Sequence, residues 1–297
     1  MMNENMRKLK YMKNKKVGST PIIYSNKIYY KLEMFNPTGS IKDRAAYNIL
    51  ENYFKLKKLK ENDTIVIATS GNMGISLAYF GKKFKINTVI VMPENVSEKR
   101  IKILKKYHAT IILTSSKKGM IGSIEEAEKI AKDNNYVLIN QFDNIYNKQA
   151  NYQTGKEIYE DLPNVDYIIC GIGTSGTIMG IAEYFKHIKK EVKIIGVEPF
   201  ENAVINEGVN DLNLIQGLGA GFLPPLLNLE LIDEVRMVKS SDVINTFENN
   251  NPLLLGLSSV ANWIVALNIL ENVKDAVIVV ICADGMDRYE SDINWSI

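Results

Sequence analysis

The chain has 297 residues, of which 46% are hydrophobic and 24% are charged, so it can build one large α/β domain or two smaller ones around buried cores. Its 36 basic and 34 acidic residues leave a net charge of +2, a balance that gives no indication of binding to nucleic acid or to a membrane. No apolar stretch reaches the roughly 20 residues of a membrane span, and the polar N-terminus lacks the apolar core of a signal peptide, so we expect a cytoplasmic protein.

The N-terminal run from Arg7 to Lys16 is basic, and we interpret it as a solvated tail. Beyond it, short apolar runs alternate with amphipathic segments, a pattern that predicts a parallel sheet covered by helices. The predicted strands are Thr64–Thr69, Thr88–Met92, Thr110–Leu113, Tyr136–Ile139, Tyr167–Cys170, Lys193–Val197 and Ala276–Cys282. The predicted helices are Gly74–Phe84, Val96–Tyr107, Ile124–Asp133, Gln153–Asp161, Thr177–His187, Ser241–Glu248 and Ser258–Leu270.

The number of predicted strands is too large for one compact half, and the polar stretch Asp143–Gln149 lies near the middle of the chain. We therefore predict two doubly wound α/β domains with mainly parallel sheets, formed by residues 1–145 and 146–297. A cleft between two such domains is the natural place for a ligand.

The cysteine and histidine residues give no indication of a metal site. Cys170 and Cys282 each end an apolar, β-branched run, which is typical of small buried strand residues and not of disulfide partners. His108 and His187, the only two histidines, lie in Lys-rich helical stretches and are predicted to be surface residues. A histidine-based catalytic triad is therefore not expected.

The first segment that could carry chemistry is Asn36-Pro37-Thr38-Gly39-Ser40-Ile41-Lys42-Asp43-Arg44, in which turn-forming residues deliver Lys42 to the start of a helix. An amine nucleophile must be unprotonated part of the time, and both partial desolvation and the positive end of a helix favour that state. The alternative is a surface lysine followed by Asp43 as a helix cap.

Two loops between a predicted strand and a predicted helix could bind an anion. Ala68-Thr69-Ser70-Gly71-Asn72-Met73-Gly74 offers backbone N–H groups and small hydroxyls to a carboxylate or phosphate, although a simple capping turn would use the same residue types. Gly171-Ile172-Gly173-Thr174-Ser175-Gly176-Thr177 has the glycine pattern of dinucleotide-binding folds, with Glu198 at a suitable distance, so a nicotinamide-dependent oxidoreductase is one alternative. Its three hydroxyls favour a terminal phosphate monoester instead.

Two further segments are compatible with a ligand but decide nothing alone. Gln216-Gly217-Leu218-Gly219-Ala220-Gly221-Phe222 could let the backbone approach a flat ligand, or it could be a plain flexible loop. In Gly256-Leu257-Ser258-Ser259, Ser258 could cap a helix or bind a ligand atom.

Taken in this order, the segments closely resemble the cysteine synthase (O-acetylserine sulfhydrylase) and cystathionine β-synthase family of fold-type II, tryptophan synthase β-like enzymes, which use pyridoxal 5′-phosphate (PLP). The resemblance begins at Gly18-Ser19-Thr20-Pro21 and runs almost to the end of the chain. It implies a PLP cleft between the two domains and a homodimer, and we expect residues from about 17 to 35 to pair with the second domain.

The resemblance assigns roles residue by residue. Lys42 carries PLP as a Schiff base and moves the α-proton, Asn72 contacts the cofactor's 3′-oxygen, and Ser258 faces the pyridine nitrogen. The phosphate is held by Gly173, Thr174, Ser175, Gly176 and Thr177. The substrate is bound by Thr69, Ser70, Asn72, Gln141 and Gly217.

The implied reaction removes the α-proton and the β-substituent of an amino acid, leaves α-aminoacrylate, and adds a nucleophile to the β-carbon. Cysteine synthesis from O-acetyl-L-serine and sulfide is favoured, because Gly219-Ala220-Gly221-Phe222 resembles the synthase form of this loop. The alternative is a lyase that consumes L-cysteine, releases hydrogen sulfide and uses water or a thiol as the second nucleophile.

If water is the nucleophile, a carboxylate should activate it, and Asp233 is the candidate, with a polar residue at the start of a strand as the other interpretation. Two residues depart from the family pattern: Met73 stands where threonine is common, and Val260 stands where glycine is common. Met73 could weaken carboxylate binding or reshape the pocket, so the first substrate could differ from O-acetylserine.

Overall fold

A computed structural model of the chain describes residues 16–289, and all but the last residue of the basic run lies outside this range. The strands are β1 Ile22–Ser25, β2 Ile28–Leu32, β3 Thr64–Ala68, β4 Asn87–Pro93, β5 Thr110–Thr114, β6 Val137–Leu138, β7 Tyr167–Gly171, β8 Lys193–Pro199, β9 Glu234–Val238 and β10 Ile278–Cys282. The helices are α1 Lys42–Lys55, α2 Asn72–Phe84, α3 Glu98–Lys106, α4 Gly119–Asn134, α5 Ile145–Asp161, α6 Gly176–His187, α7 Ser240–Asn249 and α8 Leu257–Asn272.

The strands form two sheets. The large sheet has the order β1-β2-β10-β7-β8-β9, and the small sheet has the order β5-β4-β3-β6. Every pairing is parallel except that of β1 with β2. The predicted α/β architecture with mainly parallel sheets is confirmed, and each of the seven predicted strands is present.

Strand β10 shows why its sequence is a continuous apolar run. All five of its residues are buried, and alternate residues point to opposite faces of the sheet. Ile278 and Val280 enter the core under α8, whereas Val279 and Ile281 enter the core under α6. A strand with helices on both faces needs no polar side, because neither face meets water.

Strands β1 and β2 form an antiparallel hairpin that was not predicted. Its two connecting residues, Asn26 and Lys27, have φ angles of 49° and 65°. Two-residue hairpin turns of this kind usually contain glycine, so the usual sequence signal of a hairpin is missing here. Strand β2 then pairs with β10, with Leu32 opposite Cys282.

A buried charge cluster, consisting of Lys31, Glu33, Arg44 and Glu157, connects β2 and the turn after it to α1 and α5. Arg44 Nε lies 2.7 Å from Glu33, and Lys31 Nζ lies 2.8 Å from Glu157. Burial raises the pKa of both carboxyl groups, but Arg44 and Lys31 together outweigh burial, so the pKa of Glu33 is lowered and that of Glu157 falls to about 2.

Residues 16–289 also include both cysteines and both histidines of the chain. Cys170 and Cys282 are both free and buried, and His108 and His187 are exposed, as predicted. No helix in this range is both long and apolar enough to cross a membrane. Likewise, no group of three or more His, Cys, Asp or Glu side chains in the described part of the chain is arranged to hold a metal ion.

Candidate active site

Lys42 is the first residue of α1, at the start of a helix as predicted. The turn before it is held by Asp43, whose carboxylate accepts hydrogen bonds from the Thr38 amide, the Thr38 hydroxyl and the Ser76 hydroxyl, each at 2.6 Å. The Ile41 amide donates to the Ala283 carbonyl oxygen at 2.9 Å, so the same turn is fixed to the end of β10. Lys42 is therefore positioned by a backbone hydrogen bond of Ile41 on one side and by the side-chain contacts of Asp43 on the other.

The protein around Lys42 makes its amine easier to deprotonate. Its side chain is half-buried, and desolvation lowers its pKa below the usual value of 10.5. Cys170 and Asp284 oppose this effect but do not cancel it. An amine that must attack an aldehyde has to be unprotonated, so the lowered pKa suits a nucleophilic lysine.

The loop after β3 carries three of the predicted substrate-binding residues, Thr69, Ser70 and Asn72. The Thr69 amide donates to the Val91 carbonyl oxygen at 3.0 Å, which extends the β3–β4 pairing by one residue. Asn72 is the first residue of α2, after Gly71 at the cap position. The Ser70 carbonyl oxygen accepts a hydrogen bond from Arg100 at 2.9 Å.

The loop between β7 and α6 is built to receive an anion. It leads into the N-terminus of a 12-residue helix, where backbone N–H groups and the helix dipole favour negative charge. The Ser175 hydroxyl is buried and has no hydrogen-bond partner among the described residues. A Cβ atom at Gly173 would lie 2.3 Å from the Gly217 carbonyl oxygen, so only glycine permits this approach of the two loops. The donors present fit the phosphate group of PLP.

These loops enclose one cavity of about 300 Å³ at the carboxyl ends of the parallel strands, a size within the range of small-molecule sites. Of the residues predicted to bind cofactor or substrate, the cavity is lined by Lys42, Thr69, Asn72, Gln141, Gly173, Thr174, Ser175, Thr177, Gly217 and Ser258. Ser70 and Gly176 belong to the same loops but do not line it.

Asp233 is not brought to this cavity. It is exposed and immediately precedes β9, at the amino end of a parallel strand, whereas the cavity lies at the carboxyl ends. Its carboxylate accepts a hydrogen bond from the Ile194 amide at 2.7 Å, at the start of β8. The structure therefore corrects the prediction of a water-activating residue: Asp233 fixes the start of a strand.

Glu198 likewise gives no support to a nicotinamide site. It is 2% exposed at the end of β8, and its carboxylate accepts hydrogen bonds from the backbone amides of Ile205 and Asn206 at 3.1 and 3.0 Å. In the dinucleotide fingerprint this carboxylate would bind a ribose hydroxyl.

Sequence reasoning missed Asp284 and Tyr289, which both line the cavity. Asp284 Oδ2 accepts hydrogen bonds from Asn72 Nδ2 at 2.6 Å and from the Tyr289 hydroxyl at 2.9 Å. Burial raises the pKa of Asp284, and these two bonds oppose the rise. Its position in the sequence could have indicated this role, because Asp284 follows β10 as Thr69 follows β3 and Gln141 follows β6.

A comparison with known families then identifies the fold and its cofactor. The family model described as "Pyridoxal-phosphate dependent enzyme" matches residues 14–284. The chain belongs to this family. The predicted PLP cofactor, the enzymatic nature of the protein and the resemblance stated above are thereby confirmed.

Individual relatives agree with the family match. The chain is 39% identical to cysteine synthase B of Campylobacter jejuni, over 93% of this chain and 95% of the relative. The crystal structure of cysteine synthase from Entamoeba histolytica superposes with a TM-score of 0.88 at 36% identity, over 100% of this chain and 92% of that one. A hydrogen sulfide-producing enzyme from Fusobacterium nucleatum gives a TM-score of 0.85 at 35% identity, over 97% of this chain and 91% of that one.

Proposed function

We propose that this protein is a cysteine synthase, which converts O-acetyl-L-serine and sulfide into L-cysteine and acetate with PLP attached covalently through Lys42. The observation that carries the proposal is the convergence of a half-buried lysine of lowered pKa, Asn72 and an anion-binding helix N-terminus on one cavity. Relatives that match over more than 90% of both chains carry the name cysteine synthase, which supports the choice of substrates.

PLP, when bound, supplies an electron-withdrawing ring that stabilises negative charge at the α-carbon of an amino acid. We assign the covalent attachment and the transfer of the α-proton to Lys42. Ser258 lines the cavity, and as a neutral residue it would face the pyridine nitrogen of bound PLP and leave that nitrogen unprotonated. The residues from Gly173 to Thr177 hold the phosphate through amides and hydroxyls, as their position at the start of α6 favours.

The substrate carboxylate is assigned to the polar groups on the other side of the cavity. Thr69, Asn72 and Gln141 line it, and Gly217 contributes backbone from the glycine-dense loop, residues 216–222. We assign Ser70 a place in the same loop, where Arg100 holds its carbonyl oxygen. This arrangement lets the chain grip the α-carboxylate while the β-carbon exchanges acetate for sulfide.

A second candidate function is the release of hydrogen sulfide from L-cysteine. It is favoured by the 35% identity to the hydrogen sulfide-producing enzyme of Fusobacterium nucleatum, over 97% of this chain. Both reactions remove a β-substituent and then add a nucleophile to the β-carbon. In cysteine synthesis sulfide is that nucleophile, whereas in the second reaction L-cysteine is the substrate and sulfide leaves.

Two assays test these functions. Purified protein with PLP receives O-acetyl-L-serine plus sulfide in one and L-cysteine alone in the other, and cysteine, sulfide and the organic products are quantified. Cysteine synthesis that is much faster than sulfide release supports the synthase, and the reverse ratio supports the second function. Borohydride reduction should fix a cofactor-sized mass on the Lys42 peptide, and Lys42→Ala should abolish this mass; an unlabelled Lys42 would overturn the proposal.

The division of the chain forms a further part of the proposal. We assign residues 1–145 to a first domain around the small sheet and residues 146–297 to a second domain around the large sheet, with the segment from about 17 to 35 joined to the second. The pairing of β2 with β10 supports the last assignment. We also propose a homodimer in the cytoplasm, for which light scattering after size-exclusion chromatography and fractionation of cells are the tests.

A further inference from the structure

Asp284 occupies a fixed place between the turn before Lys42 and the loop after β3, which contains Asn72. Its backbone forms a bridge with Ser40, two residues before Lys42, and its carbonyl oxygen accepts a hydrogen bond from the Gly256 amide at 3.0 Å. The residue is 2% exposed and its side chain lines the cavity. The carboxyl group therefore has a defined position that does not depend on a flexible loop.

Both hydrogen bonds to this carboxyl group end on the same oxygen. Asn72 Nδ2 donates to Asp284 Oδ2 at 2.6 Å, and the Tyr289 hydroxyl donates to the same atom at 2.9 Å. Oδ1 is buried and has no hydrogen-bond partner among residues 16–289. A Cβ atom at Gly256 would lie only 1.9 Å from Oδ1, so the absence of a side chain at position 256 makes room for the carboxyl group.

The chemistry of a carboxamide explains why this contact matters. The Asn72 side chain can turn by 180°, which exchanges a donor end for an acceptor end of almost the same shape. An acceptor that does not donate, placed against Asn72, favours the orientation with Nδ2 towards Asp284. That orientation uses one N–H of Nδ2 and leaves the second for another acceptor.

We propose that Asp284 is a positioning residue, whose Oδ2 atom fixes the Asn72 carboxamide so that its second N–H is offered to the 3′-oxygen of PLP. The proposal rests on the role assigned to Asn72 in the proposed function. Tyr289 supports the arrangement by holding Oδ2 from the other side. Without the acceptor, Asn72 turns freely and presents an oxygen to an oxygen for part of the time.

The two oxygens of Asp284 also provide a matched control. Asp284→Asn keeps an acceptor at the Oδ2 position and places an NH₂ group where Oδ1 lies, so both hydrogen bonds survive while the charge is lost. Asp284→Ala removes the acceptor. If the acceptor positions Asn72, the asparagine variant resembles the wild type and the alanine variant does not.

The experiment measures the PLP dissociation constant of the apoprotein and the visible absorption spectrum of the bound cofactor, for wild type, Asp284→Ala, Asp284→Asn, Asn72→Ala and the Asn72→Ala/Asp284→Ala double variant. We expect Asp284→Ala to weaken PLP binding about tenfold and to shift the absorption maximum, as loss of one hydrogen bond predicts. Asp284→Asn should stay within about twofold of wild type. Asp284→Ala should add nothing in the Asn72→Ala background, because a residue that acts through Asn72 has no effect without it.

Three results would overturn the proposal: an Asp284→Ala variant with wild-type affinity and spectrum, an Asp284→Asn variant as weak as Asp284→Ala, or independent effects in the double variant. Circular dichroism and thermal melting confirm that each variant is folded. If Asp284→Ala does not fold, Asp284→Leu, which fills the space without an acceptor, is compared in the same way. A wild-type protein that binds no PLP would instead overturn the proposed function, and it is recognised before any variant is made.

Discussion

The Arg44 guanidinium and the Glu157 carboxylate make a two-point contact, with Nη1 to Oε1 at 2.8 Å and Nη2 to Oε2 at 2.7 Å, although the residues lie 113 positions apart. Arg44 is on α1, which begins at the proposed cofactor lysine, and Glu157 is on α5. Because Glu33 binds the same guanidinium, the start of α1 is tied to the large sheet through charges that water does not reach.

Removal of the guanidinium should be costly. We expect Arg44→Met to lower the free energy of unfolding by about 3–5 kcal/mol, because two buried carboxylates lose their main partner. Urea unfolding followed by circular dichroism measures the change. Lys55→Met, which removes the exposed partner of Glu51, should cost less than about 1 kcal/mol. Equal losses in the two variants would contradict the importance of burial.

The charge cluster also predicts a dependence of stability on pH. The pKa of Glu157 is depressed from 4.5 to about 2, so its contribution to stability is complete above pH 4.5 and is lost as the pH falls towards 2. The difference in unfolding free energy between wild type and Glu157→Gln should therefore shrink between pH 5 and pH 2.5, as measured by urea unfolding across roughly this range. A difference that grows as the pH falls would show the opposite sign of pKa shift.

Lys42 should titrate below an ordinary lysine in the apoprotein. Since its pKa is lowered from 10.5, a larger fraction of its amine is unprotonated at any given pH. Reductive methylation at a series of pH values, quantified for the Lys42 peptide by mass spectrometry, should give a midpoint below 10.5. A midpoint at or above that value would contradict the lowered pKa. The exposed Lys55 serves as the internal reference for reagent reactivity.

Ser175→Ala should affect the apoprotein and the cofactor complex in opposite directions. The buried Ser175 hydroxyl has no partner among the described residues, so its removal should leave the melting temperature of the apoprotein unchanged or raise it. The same change should weaken PLP binding about tenfold, because the phosphate loses a donor. Calorimetry and a PLP titration measure the two effects. The exposed Ser241→Ala should leave PLP affinity unchanged; a lower apoprotein stability for Ser175→Ala would argue for an internal structural role.

Met73 tests the identity of the first substrate. It is 1% exposed and lines the cavity beside Asn72, where a thioether offers no hydrogen bond to a carboxylate. Met73→Thr should lower KM for O-acetyl-L-serine several-fold, roughly the worth of one hydrogen bond, with little change in kcat. Steady-state kinetics measure both constants, and an unchanged or higher KM would show that Met73 does not limit carboxylate binding. Val260 is fully buried and does not line the cavity, so we expect it to have no direct effect on substrate binding.

The sequence predicted those parts of the fold that follow from local patterns. Buried parallel strands such as β10 are continuous apolar runs, and the loops after them contain the glycine, serine and asparagine residues that later line the cavity. The hairpin of β1 and β2 was missed because Asn26 and Lys27 adopt positive φ angles without glycine. Its partner strand is far away in sequence, and no local pattern reports such pairing.

The two site residues that the sequence did not predict correctly, Asp233 and Asp284, also depend on long-range structure. Asp233 was chosen for its closeness in sequence to the glycine-dense loop, but the strand direction places it at the opposite end of the sheet. Asp284 was overlooked because its role depends on contacts with residues far away in the sequence, which no local pattern reports. Its importance arises from contacts with Asn72 and with Tyr289, and the first of these spans 212 positions.

The pairing of β2 with β10 has a consequence for synthesis of the chain on the ribosome. Strand β2 is translated long before its partner at Ile278–Cys282, because most of the described chain lies between the two strands. The small sheet, whose strands all lie between Thr64 and Leu138, can assemble while translation continues. The hairpin lacks this neighbour until then, so the slow, long-range step of folding comes after β10, the last strand of the described residues, is released.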